Sequence, residues 1–275
     1  MPNFIVGARL HDYGKGTPDE LFGQVSADGF AAVQLAYKKC VPTVKSYADV
    51  THALVAETVA AEKAHHIQVA VLGTYVELAI NDESRLCNVA DFKSQLAVCK
   101  ALGAGCIGTE TTAMSKQPAG TTRAQAQELL CRSLAEILPA AEALGVTVGI
   151  EPVTYHSMNS AAATRHILDT MRSPNLKVIF DMSNLVSAEN VDAQDRIWYD
   201  MGALLGDQIV AVHFKGQAFA PDGSLLHTSL EESRTDYAGA FAMLRQLPQP
   251  ALPVLREEAV PARAASDIAF MKGFF

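Results

Sequence analysis

Glu151, Asp181, His213 and Glu257 recur through the second half of the chain at separations of 30, 32 and 44 residues. Each closes or follows a short apolar run: Val148-Gly149-Ile150, Val178-Ile179-Phe180, Val210-Ala211-Val212 and Pro253-Val254-Leu255. A lone carboxylate at such a place is more often a helix cap or a surface acid. Four residues, each roughly one βα unit after the last, converge if their strands lie side by side, about 4.8 Å apart. Three carboxylates and one imidazole are a hard-to-borderline donor set for one divalent ion, Mn²⁺ first, with Mg²⁺, Co²⁺ and Zn²⁺ as the other candidates. Such an ion, chelating a carbonyl and a neighbouring hydroxyl, stabilises the enediolate left when the α proton departs. A carboxylate on one face removes that proton and a second one on the other face returns it. One base gives aldose–ketose isomerisation and two opposed bases give epimerisation.

The last donor has a competitor in Glu258. Side chains alternate along a strand, so Leu255 shares a face with Glu257, and Arg256 shares the other with Glu258. A barrel interior is apolar below its rim, so the Leu255 face points inward and Glu257 is the expected ligand. The same parity puts Lys215 beside His213, aimed at a substrate oxygen. Glu110 ends the run Gly108-Thr109-Glu110 and is a substrate-binding candidate, against a capping or ion-pairing role. His11 and Asp12 follow the first run, and His11 is a further candidate. Tyr75 and Glu77 follow the third, as a lid or as packing. Lys38 and Lys39 are expected to be solvated, His52, His65 and His66 to lie on the surface, His166 to be structural and Trp198 to pack. His227 falls in a long loop and has no assignable role.

Eight strands are needed to carry these residues. Residues 4–8, 32–36, 67–72, 106–109, 147–150, 177–180, 209–214 and 252–255 are short and mostly apolar or β-branched, as strands covered on both faces should be. Helical patterns lie between them. Thr17-Pro18-Asp19-Glu20 reads as a cap, a first-turn proline and first-turn acids. Further patterns cover 50–65, 91–102 before Gly103, 122–144 before Gly145, 160–171, 236–247 before Pro248 and 266–274. The alternation implies a parallel sheet with right-handed crossovers, and about 34 residues per unit suits a βαβ repeat. The expected fold is therefore α/β: a single (β/α)8 TIM barrel domain over residues 1–275, with an open doubly wound sheet as the alternative. Gly7-Ala8-Arg9-Leu10-His11 is not G-x-G-x-x-G, which argues against a dinucleotide fold. The longest irregular stretches, 113–121, 182–195 and 216–235, each follow a strand, on the face where barrel enzymes keep their sites.

The 275 residues are 49% hydrophobic, ample for a core, which excludes a disordered chain. Net charge is −8, from 22 basic and 30 acidic residues, and no basic run exceeds Lys38-Lys39. That field repels phosphate backbones, so nucleic acid is not an expected partner. Five cysteines without a C-x-x-C pair read as reduced thiols. No leader pattern opens the chain and no apolar window is long enough for a membrane span. The expected setting is the cytoplasm and the expected partner a small molecule, with homo-oligomerisation left open.

Ile150-Glu151-Pro152-Val153, Phe180-Asp181-Met182-Ser183-Asn184, Val212-His213-Phe214-Lys215-Gly216 and Arg256-Glu257-Glu258 resemble the sugar isomerase/epimerase group of the xylose isomerase-like barrels. Gly29-Phe30-Ala31-Ala32-Val33-Gln34-Leu35 extends the resemblance over nearly the whole chain. It implies a carbohydrate substrate and a divalent metal on Glu151, Asp181, His213 and Glu257, with the two glutamates also serving as the acid/base pair. Two positions depart from the pattern. Asn184 stands where many relatives have a histidine, and Ser157 where some have a second glutamate. Asn184 and His156 therefore join Lys215, Glu110 and His11 as substrate-binding candidates. The leading reading is a metal-dependent sugar isomerase or epimerase. The alternative is a lyase or dehydratase acting on a keto-sugar or keto-inositol through the same site. An abasic-DNA endonuclease, which needs a histidine-rich trinuclear cluster, and a metal-free binding barrel rank below these. No glycine-rich phosphate cradle is present, which favours an unphosphorylated substrate.

Overall fold

Strands with apolar residues on both faces need cover on both sides, and closure into a barrel provides it while removing the sheet's edges. The computed structural model describes residues 1–275 and contains ten strands: β1 (Asn3–Arg9), β2 (Ala32–Leu35), β3 (Gln68–Gly73), β4 (Cys106–Glu110), β5 (Val148–Glu151), β6 (Leu176–Asp181), β7 (Ile209–Phe214), β8 (Gly216–Phe219), β9 (Leu225–Thr228) and β10 (Ala251–Arg256). Eight of them close in the order β1-β10-β7-β6-β5-β4-β3-β2, with every neighbouring pair parallel except where β8 and β9 form a separate antiparallel hairpin. The helices are α1 (Pro18–Ala27), α2 (Tyr37–Cys40), α3 (His52–His65), α4 (Asp82–Leu102), α5 (Arg123–Leu144), α6 (Ala161–Met171), α7 (Gln194–Leu205), α8 (Tyr237–Leu244) and α9 (Ala264–Lys272). The protein is a single-domain (β/α)8 TIM barrel, and all eight expected barrel strands are present within a residue or two of their expected ends.

Local chemistry explains most helix boundaries. Thr17 and Glu20 form a reciprocal capping box at α1, as do Thr122 and Gln125 at α5. Gly103 and Gly145 end α4 and α5 in the left-handed conformation, at φ 65° and 67°. Three features differ from the sequence reading. Helix α4 starts at Asp82, where Asn81 accepts from the Ser84 N–H, and its first turns carry too little apolar periodicity to be seen. Helix α7 begins inside the stretch read as irregular. The 216–235 stretch holds the β8–β9 hairpin, whose turn carries Pro221-Asp222-Gly223, a recognisable turn signal. No helix is long and apolar enough to cross a membrane. All five cysteines are unpaired.

The main core fills the layer between sheet and helices, with Phe22, Phe92, Phe180, Phe214 and Phe241 fully buried. A smaller apolar cluster fills the barrel itself: Ala32, Ala70, Val71, Cys106, Ile179, Ala211 and Leu255. Ile179 of β6 reaches over the neighbouring strands, and glycines on β5 and β4 make room for it. A Cβ on Gly149 would stand 2.8 Å from Ile179 Cγ1, and one on Gly108 2.5 Å from Ile179 Cδ1. The opposite face of β10 points outward, where Arg256 donates to Asp267 of α9 at 2.8 Å, both buried. Leu255 and Glu257 consequently face the bore, and the apolar plug becomes the floor of a charged mouth.

Candidate active site

Alternation along the barrel strands brings one polar residue from nearly every strand to the C-terminal mouth. Gln34, Glu110, Glu151, His213 and Glu257 line one cavity, with Tyr75 on its wall and Ile179 beneath. Register places Glu110 beside Glu151, and Asp181 beside His213.

Glu151, Asp181 and His213 form the tightest group: each offers a ligand atom, and the three atoms lie within 4.8 Å of one another. All three are at least 97% buried. Asp181 Oδ1 accepts the backbone N–H groups of Ser183 (2.7 Å) and Asn184 (2.9 Å), which fixes the carboxylate. Its Oδ2 lies 3.0 Å from Lys215 Nζ in an ion pair but makes no directed hydrogen bond. Glu151 Oε1 accepts from Asn184 Nδ2 at 2.5 Å. Glu151 Oε2 stands 3.1 Å from His213 Nδ1, again without a directed hydrogen bond, and His213 Nε2 has no partner at all. Buried polar atoms are rarely left without a directed hydrogen bond, and three converge here. Two donors held about 2.1 Å from one ion at tetrahedral or octahedral angles stand about 3.0–3.4 Å apart, a range that includes the His213–Glu151 separation. These residues fit a divalent cation. Glu257 borders the group, its Oε1 3.5 Å from His213 Nδ1, and it is drawn toward Lys215 Nζ (3.8 Å) and Arg9 Nη1 (3.6 Å) on the far side.

The charges act strongly on one another at this depth. Burial opposes a charge on His213, yet Glu257 and Glu151 outweigh it and raise its pKa to about 9. Burial likewise opposes a charge on Glu257, but His213, Lys215 and Arg9 hold its pKa down to about 2. Glu151 is raised, chiefly by burial. Glu110 is raised to about 7 by burial and by the nearby charges of Glu151 and Glu257. Two buried carboxylates beside one imidazole nitrogen are therefore shifted in opposite directions, the condition that separates an acid from a base.

The remaining expected residues form a second ring. Lys215 is buried and donates to Asn184 Oδ1 at 2.8 Å, so Asn184 couples Lys215 to Glu151. Glu110 sits half-exposed at the rim. His156 is buried behind it, with Nε2 3.9 Å from Glu110 Oε2, and burial lowers its pKa to about 4. His11 packs edge-on against Tyr75, and burial followed by the charge of Arg9 lowers it to about 3. Glu258 turns away from the mouth at φ 57°, its Oε2 2.6 Å from His227 Nδ1. Lys39 is exposed but lies 3.4 Å over the Tyr75 ring, and His166 is exposed, where sequence reasoning had it structural. Two contributors were missed. Arg9 sits two residues above Gly7 on the inward face of β1. Gln34, buried in an apolar strand, donates to Tyr75 Oη (2.8 Å) and Glu257 Oε1 (3.4 Å). A lone amide within Ala32-Val33-Gln34-Leu35 was the available signal.

The sequence matches a family described as the xylose isomerase-like TIM barrel over residues 22–273. Curated protein sequences return no match. Among solved structures, 3-keto-D-glucoside 4-epimerase from E. coli superposes with a TM-score of 0.73 at 17% identity, covering 98% of this chain and 100% of that one. D-allulose 3-epimerase from Methylomonas sp. gives 0.72 at 14% identity, over 100% and 99%. The IOLI protein, crystallised with a zinc atom, gives 0.76 at 14% identity, over 98% and 96%. Such identities establish a shared fold, and the family match spans most of the sequence. The chain belongs to the xylose isomerase-like TIM barrel family.

Proposed function

We propose that the protein is a divalent-metal-dependent isomerase or epimerase of a sugar or sugar derivative, working by proton abstraction through an enediolate. The observation that carries this reading is the buried Glu151–Asp181–His213 group, whose Asp181 Oδ2 and His213 nitrogens lack directed hydrogen bonds, with Glu257 alongside. Two structural neighbours named as sugar epimerases and one holding zinc support it. A divalent ion held by Glu151, Asp181, His213 and Glu257 would supply Lewis acidity toward a carbonyl and its neighbouring hydroxyl. The oxygen-rich set favours Mn²⁺ among the candidates.

The chain's own residues do the rest. Asp181 is locked by two backbone N–H groups and acts only as a ligand. Glu151 and Glu257 both stand against His213 Nδ1, and in this reading one removes a proton from substrate carbon while the other delivers one to the opposite face. Asn184 restrains Glu151 through Oε1, and Gln34 and Arg9 restrain Glu257. Lys215, with Asn184, offers a charged donor to a substrate oxygen. The unpaired thiols suit a reducing compartment, and we place the enzyme in the cytoplasm with a free carbohydrate substrate.

The test is C–H exchange in D₂O across a sugar panel with added Mn²⁺, read by NMR and mass. Wild type is expected to exchange, and Glu151→Gln and Glu257→Gln to lose exchange. Wild-type rates in both variants would refute the mechanism. The raised pKa of Glu110 favours one second reading, a lyase in which this carboxyl protonates a leaving group. Loss of water, rather than an isobaric product, identifies it.

A further inference from the structure

We propose that the groove leading outward from Asn184 is a second sugar subsite, so that the substrate is a glycoside or disaccharide rather than a free monosaccharide. The inference rests on the activity proposed above and adds the substrate class. The space directly over the donor set is closely walled by Gln34, Tyr75 and Glu110. The larger free volume lies next to it: a groove of about 590 Å³ between the loops after β5 and β6 and the β8–β9 hairpin, in the size range of small-molecule sites. Asn184, the side chain that holds Glu151, lines this groove, which sets it one side chain away from the donor set.

The walls indicate the kind of occupant. The exposed Tyr155 ring, Phe219 and Leu225 offer apolar surface, while Thr154, Asn159 and Glu189 offer polar groups between them. A pyranose has the same division, with an apolar C–H face and a rim of hydroxyls. No lysine or arginine lines the groove and Glu189 adds a negative charge, which disfavours a phosphate or carboxylate occupant. The walls thus select a neutral glycosyl unit.

The test uses the metal-loaded full chain with D-fructose, lactulose and palatinose. Binding is read by saturation-transfer NMR and turnover by C–H exchange in D₂O. Either disaccharide is expected to exceed fructose in kcat/KM by about tenfold, the scale of one good aromatic contact. Ala188→Trp fills the groove from an exposed position away from the donor set, and Phe219→Ala removes one wall. Both are expected to abolish the disaccharide advantage and leave fructose kinetics unchanged. Equal kinetics for all three sugars, variants that lower them alike, or no detectable disaccharide binding would overturn the subsite. Disaccharide binding that Ala188→Trp removes, without exchange of any sugar, would uphold the subsite and refute the activity.

Discussion

Loading the site with a divalent ion at pH 7 is expected to expel at least about one proton from the protein. The figure comes from His213. Its pKa is raised to about 9, so at pH 7 about 99% of the imidazole is protonated. Coordination needs the neutral ring, so that proton must leave. Glu110, near half-protonated with a pKa of about 7, contributes up to about half a proton more once a dication offsets its acidic neighbours. Glu151, raised in the same direction, adds to the release. Titration calorimetry at pH 7 in buffers of different ionisation enthalpy measures the number directly as a slope. Affinity should also rise about tenfold per pH unit between pH 6 and 8, or about 1.4 kcal/mol. Glu110→Gln should lower the release by up to about half a proton without removing the His213 component. A slope indistinguishable from zero, with an affinity flat across that range, would mean that His213 is neutral before binding or is not a ligand.

Other perturbations probe the frame around the site. In metal-free protein, the raised His213 pKa contributes stability that is fully present below about pH 6.5 and lost as pH rises toward 9. Thermal unfolding should therefore fall over that window, by a few kcal/mol at most. Asp181→Asn keeps an oxygen for the Ser183 and Asn184 N–H groups. It also removes the 3.0 Å charge partner of buried Lys215, so it should cost about 3 kcal/mol in urea unfolding while losing metal affinity by more than about a hundredfold in calorimetry. Arg256→Met leaves buried Asp267 with only the half-exposed Arg263, 3.6 Å away. Urea unfolding should show a loss of about 3–5 kcal/mol, and Arg256→Met combined with Asp267→Leu should recover much of it.

The eight barrel strands were legible because burial on both faces makes each a short uninterrupted apolar run, and the polar residue that ends such a run stands out. Parity extended this to a side-chain choice: Leu255 shares the bore with Glu257, and the outward Arg256–Asp267 pair shows the same parity from the other face. What escaped notice had weak local signals. The first turn of α4, Asp82-Glu83-Ser84-Arg85, is polar throughout and the Leu86 that follows is exposed, and the β8–β9 hairpin has one exposed apolar pair, Leu225 and Leu226, rather than a clear alternation. Arg9 and Gln34 escaped for a different reason. Their contact with Glu257 depends on barrel closure bringing β1 and β2 beside β10, a relation between residues more than 200 positions apart that no local window contains.

That closure also orders events during synthesis. Glu151, Asp181 and His213 sit on β5, β6 and β7, three adjacent strands able to pair soon after they emerge from the ribosome. Glu257 arrives only with β10, the strand that slots between β7 and β1 and seals the ring, and there it meets Arg9 from the beginning of the chain. On the mechanism proposed above, sealing the barrel and completing the acid/base pair are one event, so activity is expected to report closure of the ring in a way that the three donors on β5, β6 and β7 do not.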